Sequence, residues 1–135
     1  EAPIFHCVWL KEIHQITTHH AGKQFYLRCL YGLGLGVTVQ SGKRVTLGDE
    51  VFDYSSRQAL INSIDLPVVS YVTQATITEP YLGLRLDLDA NLIVQIAMEM
   101  NTSRMCKGGP LRAMSVITLD DGILDTLTCL IRLLN

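Results

Sequence analysis

Apolar and polar residues alternate through the middle of the chain. From Tyr31 to Gln40, a large apolar side chain occupies every second position, and glycine, threonine or glutamine fills the positions between. A period of two is typical of a strand with one buried face. Ser41-Gly42 follows as a two-residue connection whose glycine can take a positive φ, and Lys43 to Leu47 is predicted to return as the partner strand.

Further strands are predicted on both sides of this pair. They are Phe25 to Leu30, Val51 to Tyr54, Gln58 to Ile64, Val68 to Thr78 and Tyr81 to Asp89. In the last of these, four leucines share one face, so Arg85 and Asp87 fall on the opposite face, where solvent is expected. Short strands joined by tight Gly, Asp and Ser turns predict an antiparallel β-barrel or jelly roll.

The period changes to that of a helix after Asp89. Asp89 can cap a helix with one apolar face that includes Leu92, Ile96 and Met100. Asn101 to Ser115 contains Gly-Gly-Pro and three basic residues, which predicts an exposed loop. The chain is therefore mainly β with two C-terminal α-helices, divided into a β-barrel over 1–89 and a helical segment over 90–135 of one domain.

The second predicted helix runs from Leu119 to Asn135. Its first turn offers Asp120 and Asp121 as capping residues. An apolar stripe at 3-4-3 spacing follows, formed by Leu124, Leu127, Ile131 and Leu134, and Ile123 and Leu130 widen it. Such a stripe suits a dimer seam as well as packing on the chain's own strands, because both require the same apolar face.

Composition and charge exclude several classes of protein. The 135 residues are 48% hydrophobic and 18% charged, with a formal net charge of −2, which is typical of an ordered globular domain. The basic residues are scattered, so the chain itself is not expected to bind DNA. It has neither a signal peptide nor an apolar run of the roughly 20 residues that a membrane helix needs. A cytoplasmic protein without disulfides or membrane contact is predicted.

The residue patterns of common catalytic and metal sites are missing from the sequence. His19 and His20 are adjacent and would point apart on an extended segment, and no Cys/His cluster occurs. Gly32, Gly34 and Gly36 lie inside a predicted strand without a following helix, so room inside a barrel explains them better than phosphate binding. No catalytic residue, metal or cofactor is predicted.

The strands and turns around Gly42 and Gly48-Asp49 resemble a cupin barrel. Aligning the first cupin motif on Gly42 puts Leu35 at the place of its glutamate, and no histidine falls at its histidine places near Arg28 to Tyr31. Aligning the second motif on Gly48 puts Ala59 at the remaining ligand place. The resemblance is therefore to the barrel and not to the metalloenzymes, although a degenerate cupin enzyme stays an alternative.

A longer resemblance covers roughly residues 31 to 134. The segments Lys43 to Tyr54 (KRVTLGDEVFDY), Ser63 to Val68 (SIDLPV), Glu79 to Asp89 (EPYLGLRLDLD) and Leu119 to Leu127 (LDDGILDTL) resemble the N-terminal domain of one branch of AraC-type bacterial transcription regulators. This resemblance implies an effector-binding barrel followed by dimerisation helices. It also implies a DNA-binding pair of helix-turn-helix motifs, which this chain does not contain, so DNA would be contacted only through that missing domain.

The resemblance suggests where an effector and a partner would bind. Since small-molecule pockets are mostly aromatic and apolar, Trp9, Phe25, Tyr31, Tyr71 and Tyr81 are candidates for the cavity wall. Arg85 is either a recognition residue for an anionic ligand or partner, or an ordinary surface arginine. A homodimer through Leu124, Leu127, Ile131 and Leu134 and an unidentified small-molecule effector are predicted, and a barrel that only pairs is the alternative.

Overall fold

The computed structural model describes residues 7–8, 26–75, 79, 81–100 and 112–134. Within these ranges the chain forms nine strands and two helices. The strands are β1 (Cys7–Val8), β2 (Leu27–Tyr31), β3 (Gly34–Gln40), β4 (Gly42–Leu47), β5 (Glu50–Ser55), β6 (Gln58–Asn62), β7 (Leu66–Gln74), β8 (Leu82–Asp87) and β9 (Met114–Thr118). Helix α1 (Ala90–Glu99) lies between β8 and β9, and helix α2 (Asp121–Leu134) follows β9.

The strands form two antiparallel sheets. The five-stranded sheet has the order β1-β8-β3-β6-β9, and the four-stranded sheet has the order β2-β7-β4-β5. The predicted fold class, mainly β and antiparallel with two helices, is therefore confirmed. One apolar cluster, which includes Val45, Tyr54, Leu60 and Met114, combines side chains of both sheets and forms the interior between them.

A second apolar cluster lies on the outer face of the five-stranded sheet. Val37 of β3 and Leu84 and Leu86 of β8 pack there with Leu127 of helix α2. Because side chains alternate along a strand, the positions between them face the other sheet. The apolar alternation of β3 and β8 therefore faces a helix, whereas glycines, Thr38 and Arg85 face the interior.

Two predictions about the first strands are wrong. The stretch from Tyr31 to Gln40 is not one strand, because β2 ends at Tyr31 in the four-stranded sheet and β3 begins at Gly34 in the five-stranded sheet. The strands on either side of Ser41 also belong to different sheets, so they form a corner and not a hairpin. At this corner it is Ser41 that has the positive φ, 71°, and Gly42 is already part of β4.

The hairpin lies one turn later in the chain. Strands β4 and β5 pair in register from Gly42 with Ser55 to Leu47 with Glu50, so Gly48-Asp49 is a two-residue turn. Gly48 has a φ of +58°, in the left-handed region that favours glycine. The tight turn that the sequence indicates at this position is confirmed.

Most of the predicted loop from Asn101 to Ser115 lies outside the described residues, and its last two positions belong to a strand. Strand β9 begins at Met114 and pairs with β6, from Asn62 with Met114 to Gln58 with Thr118. The interval between the two helices therefore supplies an edge strand to the five-stranded sheet, and the segment 90–135 is not purely helical. The pattern of β9 is too short and too close to Gly-Gly-Pro to stand out in the sequence.

Helix α2 begins as the sequence predicts. The Asp120 carboxylate accepts a hydrogen bond from the Ile123 backbone N–H at 2.8 Å, which satisfies one of the unpaired donors of the first turn. Leu127 is 8% exposed, and Leu124 and Ile131 pack on the same outer cluster of the five-stranded sheet. These three side chains of the stripe are therefore in contact with their own sheet, whereas the Leu134 side chain lies outside the described residues.

Helix α1 is capped by Asp89, whose Oδ1 atom accepts hydrogen bonds from the backbone N–H groups of Asn91 and Leu92 at 2.7 and 3.3 Å. None of its residues is buried, and Ile93, Ile96 and Met98 are among the exposed apolar side chains. In the part of the chain that the structure describes, no helix combines the length and the apolar character needed to cross a membrane.

Candidate ligand-binding site

Four polar side chains are buried between the two sheets. They are Thr38, Lys43, Asn62 and Ser70, with exposed fractions from 0% to 7%. Along the strands, these residues alternate with residues of the outer faces. Lys43 lies on the same face of β4 as the interior residue Val45, and Asn62 lies on the same face of β6 as Leu60. Since buried polar groups cost stability unless they have hydrogen-bond partners, the contacts of these four side chains locate the candidate site.

Lys43 is the most unusual member of this group. It is 7% exposed, and its Nζ atom lies 5.9 Å from the ring centre of Tyr31 and 5.6 Å from that of Tyr81. Aromatic faces attract cations at such distances, and the attraction is stronger where water is excluded. The two tyrosines therefore stabilise a positive charge between the sheets, where a lysine is rarely found.

Arg85 places a second cation beside the same ring. Its Cζ atom lies 4.6 Å from the ring centre of Tyr31. The Nε atom donates to the Asp87 carboxylate at 3.0 Å, and Nη2 donates to the Gly32 carbonyl at 2.9 Å. These contacts hold the guanidinium group in one orientation, and the Arg85 side chain is only 18% exposed. The prediction that Arg85 and Asp87 face solvent is wrong for Arg85, because the leucine face of β8 packs under helix α2.

A small inner cavity of about 40 Å³ lies between these groups. Tyr31, Lys43, Tyr54, Tyr81 and Arg85 contribute to its wall, together with Gly36, Val37, Gly83 and Leu84. A side-chain carbon at Gly36 would lie 3.6 Å from the Tyr54 hydroxyl, and one at Gly83 would lie 2.5 Å from the Tyr81 hydroxyl. Glycine at these two positions therefore leaves the space that the cavity and the tyrosine rings occupy.

A larger outer cavity of about 280 Å³ lies at the outer face of the four-stranded sheet, where Arg44 and Asp53 pair, and Lys43 and Tyr54 also contribute to its wall. The rest of its wall is polar and comes from Arg44, Asp53, Ser55, Gln58, Thr73 and Gln74, with Gly42 between them. Its volume is near the lower end of the roughly 300–1,000 Å³ that small-molecule sites usually have.

A bidentate ion pair forms one side of the outer cavity. Arg44 donates to both carboxylate oxygens of Asp53, at 2.5 and 2.6 Å, and to the Tyr71 hydroxyl at 3.2 Å. The hydrogen bonds from Arg44 hold the pKa of Asp53 below its usual range, and the charge of the guanidinium acts in the same direction. The hydrogen bond to Asp53 raises the pKa of Arg44.

This ion pair predicts a small dependence of stability on pH. Because the pKa of Asp53 is lower in the folded state, the pair stabilises the fold above the unfolded value of about 3.9, and this contribution is lost as the pH falls through the folded pKa. Urea unfolding at neutral pH and near pH 3 should show that Asp53→Asn costs more stability at neutral pH than near pH 3. Asp49→Asn is the control, since Asp49 has no ion pair among the described residues. An equal effect of Asp53→Asn at both pH values would contradict the expectation.

The structure brings three of the six predicted ligand residues together. Tyr31, Tyr81 and Arg85 line the inner cavity. Tyr71 is not with them, because it lies on the outer face of the four-stranded sheet, where its ring meets that of Tyr26 at 4.9 Å between centres. Trp9 and Phe25 lie outside the described residues, as do His6, His14, His19 and His20.

Lys43 and Tyr54 are the site residues that sequence reasoning missed, and Asn62 is a buried polar residue that it also missed. Lys43 has the same strand parity as Val45 and Leu47, and a lysine on an otherwise apolar face is a recognisable signal of a buried charge. Asn62 shares a face with Leu60 in the same way. Tyr54 follows Phe52 at a spacing of two and carries no such signal, because tyrosine is common in ordinary cores.

Comparison with known protein families agrees with this fold. A family model described as the AraC-type transcriptional regulator N-terminus matches residues 10–135, which is nearly the whole chain. The chain therefore belongs to the family of N-terminal domains of AraC-type transcriptional regulators. A comparison with curated proteins found no match.

Proposed function

We propose that this chain senses a small-molecule effector for a transcription regulator and pairs with a second copy of itself. The observation that carries the sensing function is the pair of cations, Lys43 and Arg85, that faces a cavity between the sheets. Effector binding would favour one of two arrangements of the dimer, and DNA binding would belong to a separate domain of the regulator. We infer a binding function and no catalysis, in the cytoplasm, as is usual for such regulators.

The pairing function rests on the helices. The stripe of helix α2 packs on its own sheet, but one flank of the helix keeps Ile123 40% exposed and Leu133 84% exposed. Exposed apolar side chains that recur along one helix edge favour contact with another apolar surface. We therefore assign the homodimer contact to this flank of the C-terminal helix. A monomeric mass by light scattering at high protein concentration would contradict the assignment.

The sensing function is tested by nuclear magnetic resonance with a panel of small metabolites. The backbone amide signals of Gly36 and Gly83 report on the inner cavity, because both residues line it. The panel contains short carboxylic acids, their amides, alcohols and sugars at equal concentration. We expect at least one chemical class to shift both signals in a saturable way and to raise the melting temperature. A well-dispersed spectrum in which no class moves either signal would overturn the sensing proposal and favour a barrel that only pairs.

A further inference from the structure

We infer that the turn between β5 and β6 couples the outer cavity to the first turn of helix α2. The turn runs from Ser55 to Gln58, and Ser56 and Arg57 lie between the ends of the two strands. None of these residues lines the inner cavity, so the coupling does not depend on the effector proposed for it.

The turn lies at a corner between the two sheets. Strand β5 is an edge strand of the four-stranded sheet, and β6 lies in the five-stranded sheet between β3 and β9. Helix α2 packs on the outer face of the five-stranded sheet, whereas the outer cavity lies at the outer face of the four-stranded sheet. The turn is therefore a covalent connection between the side of the molecule with the cavity and the side with the helix.

Arg57 has a backbone conformation that is unfavourable for its residue type. Its φ is +65°, in the left-handed region, where glycine is favoured and residues with a side chain are uncommon. Among the described residues, only Ser41 also has a positive φ without being glycine. A strained conformation of this kind persists only where the surrounding structure holds it in place.

The start of helix α2 stabilises this conformation. The backbone N–H of Leu119 donates to the Arg57 carbonyl at 2.8 Å, and the Arg57 Nη2 atom donates to Oδ1 of Asp121, the first residue of the helix, at 2.5 Å. Leu119 is buried in the outer cluster of the five-stranded sheet. The carbonyl of Arg57 is thus bound to a buried residue, and its side chain is bound to the first turn of the helix.

Arginine at this position provides a contact that glycine would not. Glycine would adopt the left-handed conformation without strain and would still present its carbonyl to Leu119. It would lose the ion pair with Asp121. Because both partners are exposed, this pair adds little to stability by itself. Its effect is to join the conformation of the turn to the position of the first helical turn.

The other end of the turn forms part of the wall of the outer cavity, which Ser55 and Gln58 both line. The Gln58 Oε1 atom accepts hydrogen bonds from the backbone N–H and the hydroxyl of Ser55, at 2.9 and 3.3 Å. The Ser56 hydroxyl donates to the Val39 carbonyl of β3 at 3.0 Å. These bonds close the turn around Arg57, so a displacement of Gln58 would change the conformation in which Arg57 is held.

A contact made in the outer cavity would therefore reach helix α2. A molecule that moves the Gln58 amide away from Ser55 would loosen the turn, and Arg57 would lose the geometry in which it meets Leu119 and Asp121. Coupling of this kind is reciprocal, so a change at Asp121 should alter Ser55 in turn. The turn gives the domain a route from its four-stranded sheet to its C-terminal helix.

Amide hydrogen exchange, measured by nuclear magnetic resonance on the ligand-free chain, tests the coupling from the cavity side. Gln58→Ala removes the acceptor of the Ser55 hydrogen bonds and changes nothing in helix α2. We expect the Leu119 N–H to exchange about threefold faster or more, while the Val45 N–H in the interior keeps its unmutated rate. Gln74→Ala is the matched control, because it truncates the same residue type in the wall of the same cavity but outside the turn.

The reverse direction is tested from the helix. Asp121→Ala removes the partner of the Arg57 side chain and should shift the Ser55 amide signal at the other end of the turn. Asp125→Ala is the control, since Asp125 is an exposed residue one turn later on the same helix. In an Arg57→Gly background, which has no ion pair to lose, Asp121→Ala should leave the Ser55 signal in place.

Faster exchange of Leu119 in Gln58→Ala, together with a shifted Ser55 signal in Asp121→Ala, supports the coupling. Equal acceleration of Leu119 and Val45 indicates a general loss of stability and would overturn it, as would equal effects of Gln58→Ala and Gln74→Ala. A Ser55 signal that Asp121→Ala moves no more than Asp125→Ala does would also overturn it. If Gln58→Ala does not fold, Ser55→Ala replaces it, because this variant removes only the hydroxyl bond to Gln58.

Discussion

Leu127→Glu is expected to unfold the domain, whereas Leu133→Glu on the same helix is expected to leave it folded and monomeric. Leu127 is 8% exposed and packs against the outer cluster of the five-stranded sheet, so the substitution would bury an unpaired carboxylate there. The loss of the apolar contacts and the buried charge together should cost more than about 4 kcal/mol, a large part of the stability of a domain of this size. Leu133 is 84% exposed and can accept the charge without disturbing the core.

The two variants separate the two roles that the stripe of helix α2 suggests. Urea unfolding followed by circular dichroism measures the stability, and light scattering measures the mass of each folded variant. Thr128→Glu is the control, because Thr128 is exposed on the flank of the helix opposite Leu133, as a rotation of about 100° per residue requires. This control should keep both the fold and the dimer. A folded monomer from Leu127→Glu would mean that the stripe itself faces the partner, contrary to the packing described above.

The fold class could be predicted from the sequence because the local signals agree with the final structure. Gly48 lies in the turn of a real hairpin, and Asp89 and Asp120 cap the two helices at the expected positions. Turns and caps depend on residues a few positions apart, so one sequence is sufficient to identify them. The partners of the strands depend on distant residues, and for this reason the corner at Ser41 and the pairing of β9 with β6 were not foreseen.

The candidate site shows a second limit of sequence reasoning. An alternating strand is usually read with its apolar face inwards and its polar face in solvent. In β3 and β8 the apolar face packs under helix α2 instead, so the glycines and Arg85 point to the interior between the sheets. Helix α2 covers one face of the five-stranded sheet, and the four-stranded sheet covers the other. A period of two in the sequence does not show which face packs against the helix. Tyr31, Tyr81 and Arg85 could therefore be proposed as ligand residues, but their common cavity could not.

Lys43 and Asn62 are the interior residues that say most about what the fold gives up in stability. Each interrupts an apolar strand face, and each would be less costly to the fold as an apolar residue of similar shape. Residues that lower stability and persist in a packed interior are expected at functional sites, where binding compensates for the cost.

Asn62→Leu is expected to stabilise the domain. The leucine side chain has nearly the shape of asparagine and removes two buried polar atoms that have no partner among the described residues. Since an unsatisfied buried polar group costs about 1–3 kcal/mol, the free energy of unfolding should rise by roughly 1–2 kcal/mol. Urea unfolding of the ligand-free protein measures this gain.

Two controls separate the amide of Asn62 from the shape of the residue. Asn62→Asp keeps the size of the side chain but buries a carboxylate near Leu60 and Met114, so it should be less stable than the unmutated protein. Ser70→Ala also removes a buried polar group, but the Ser70 hydroxyl has a partner in the sulfur of Cys29 at 4.0 Å, so no comparable gain in stability is expected. If Asn62→Leu is less stable than the unmutated domain, the amide makes contacts that support the fold, which would contradict the expectation.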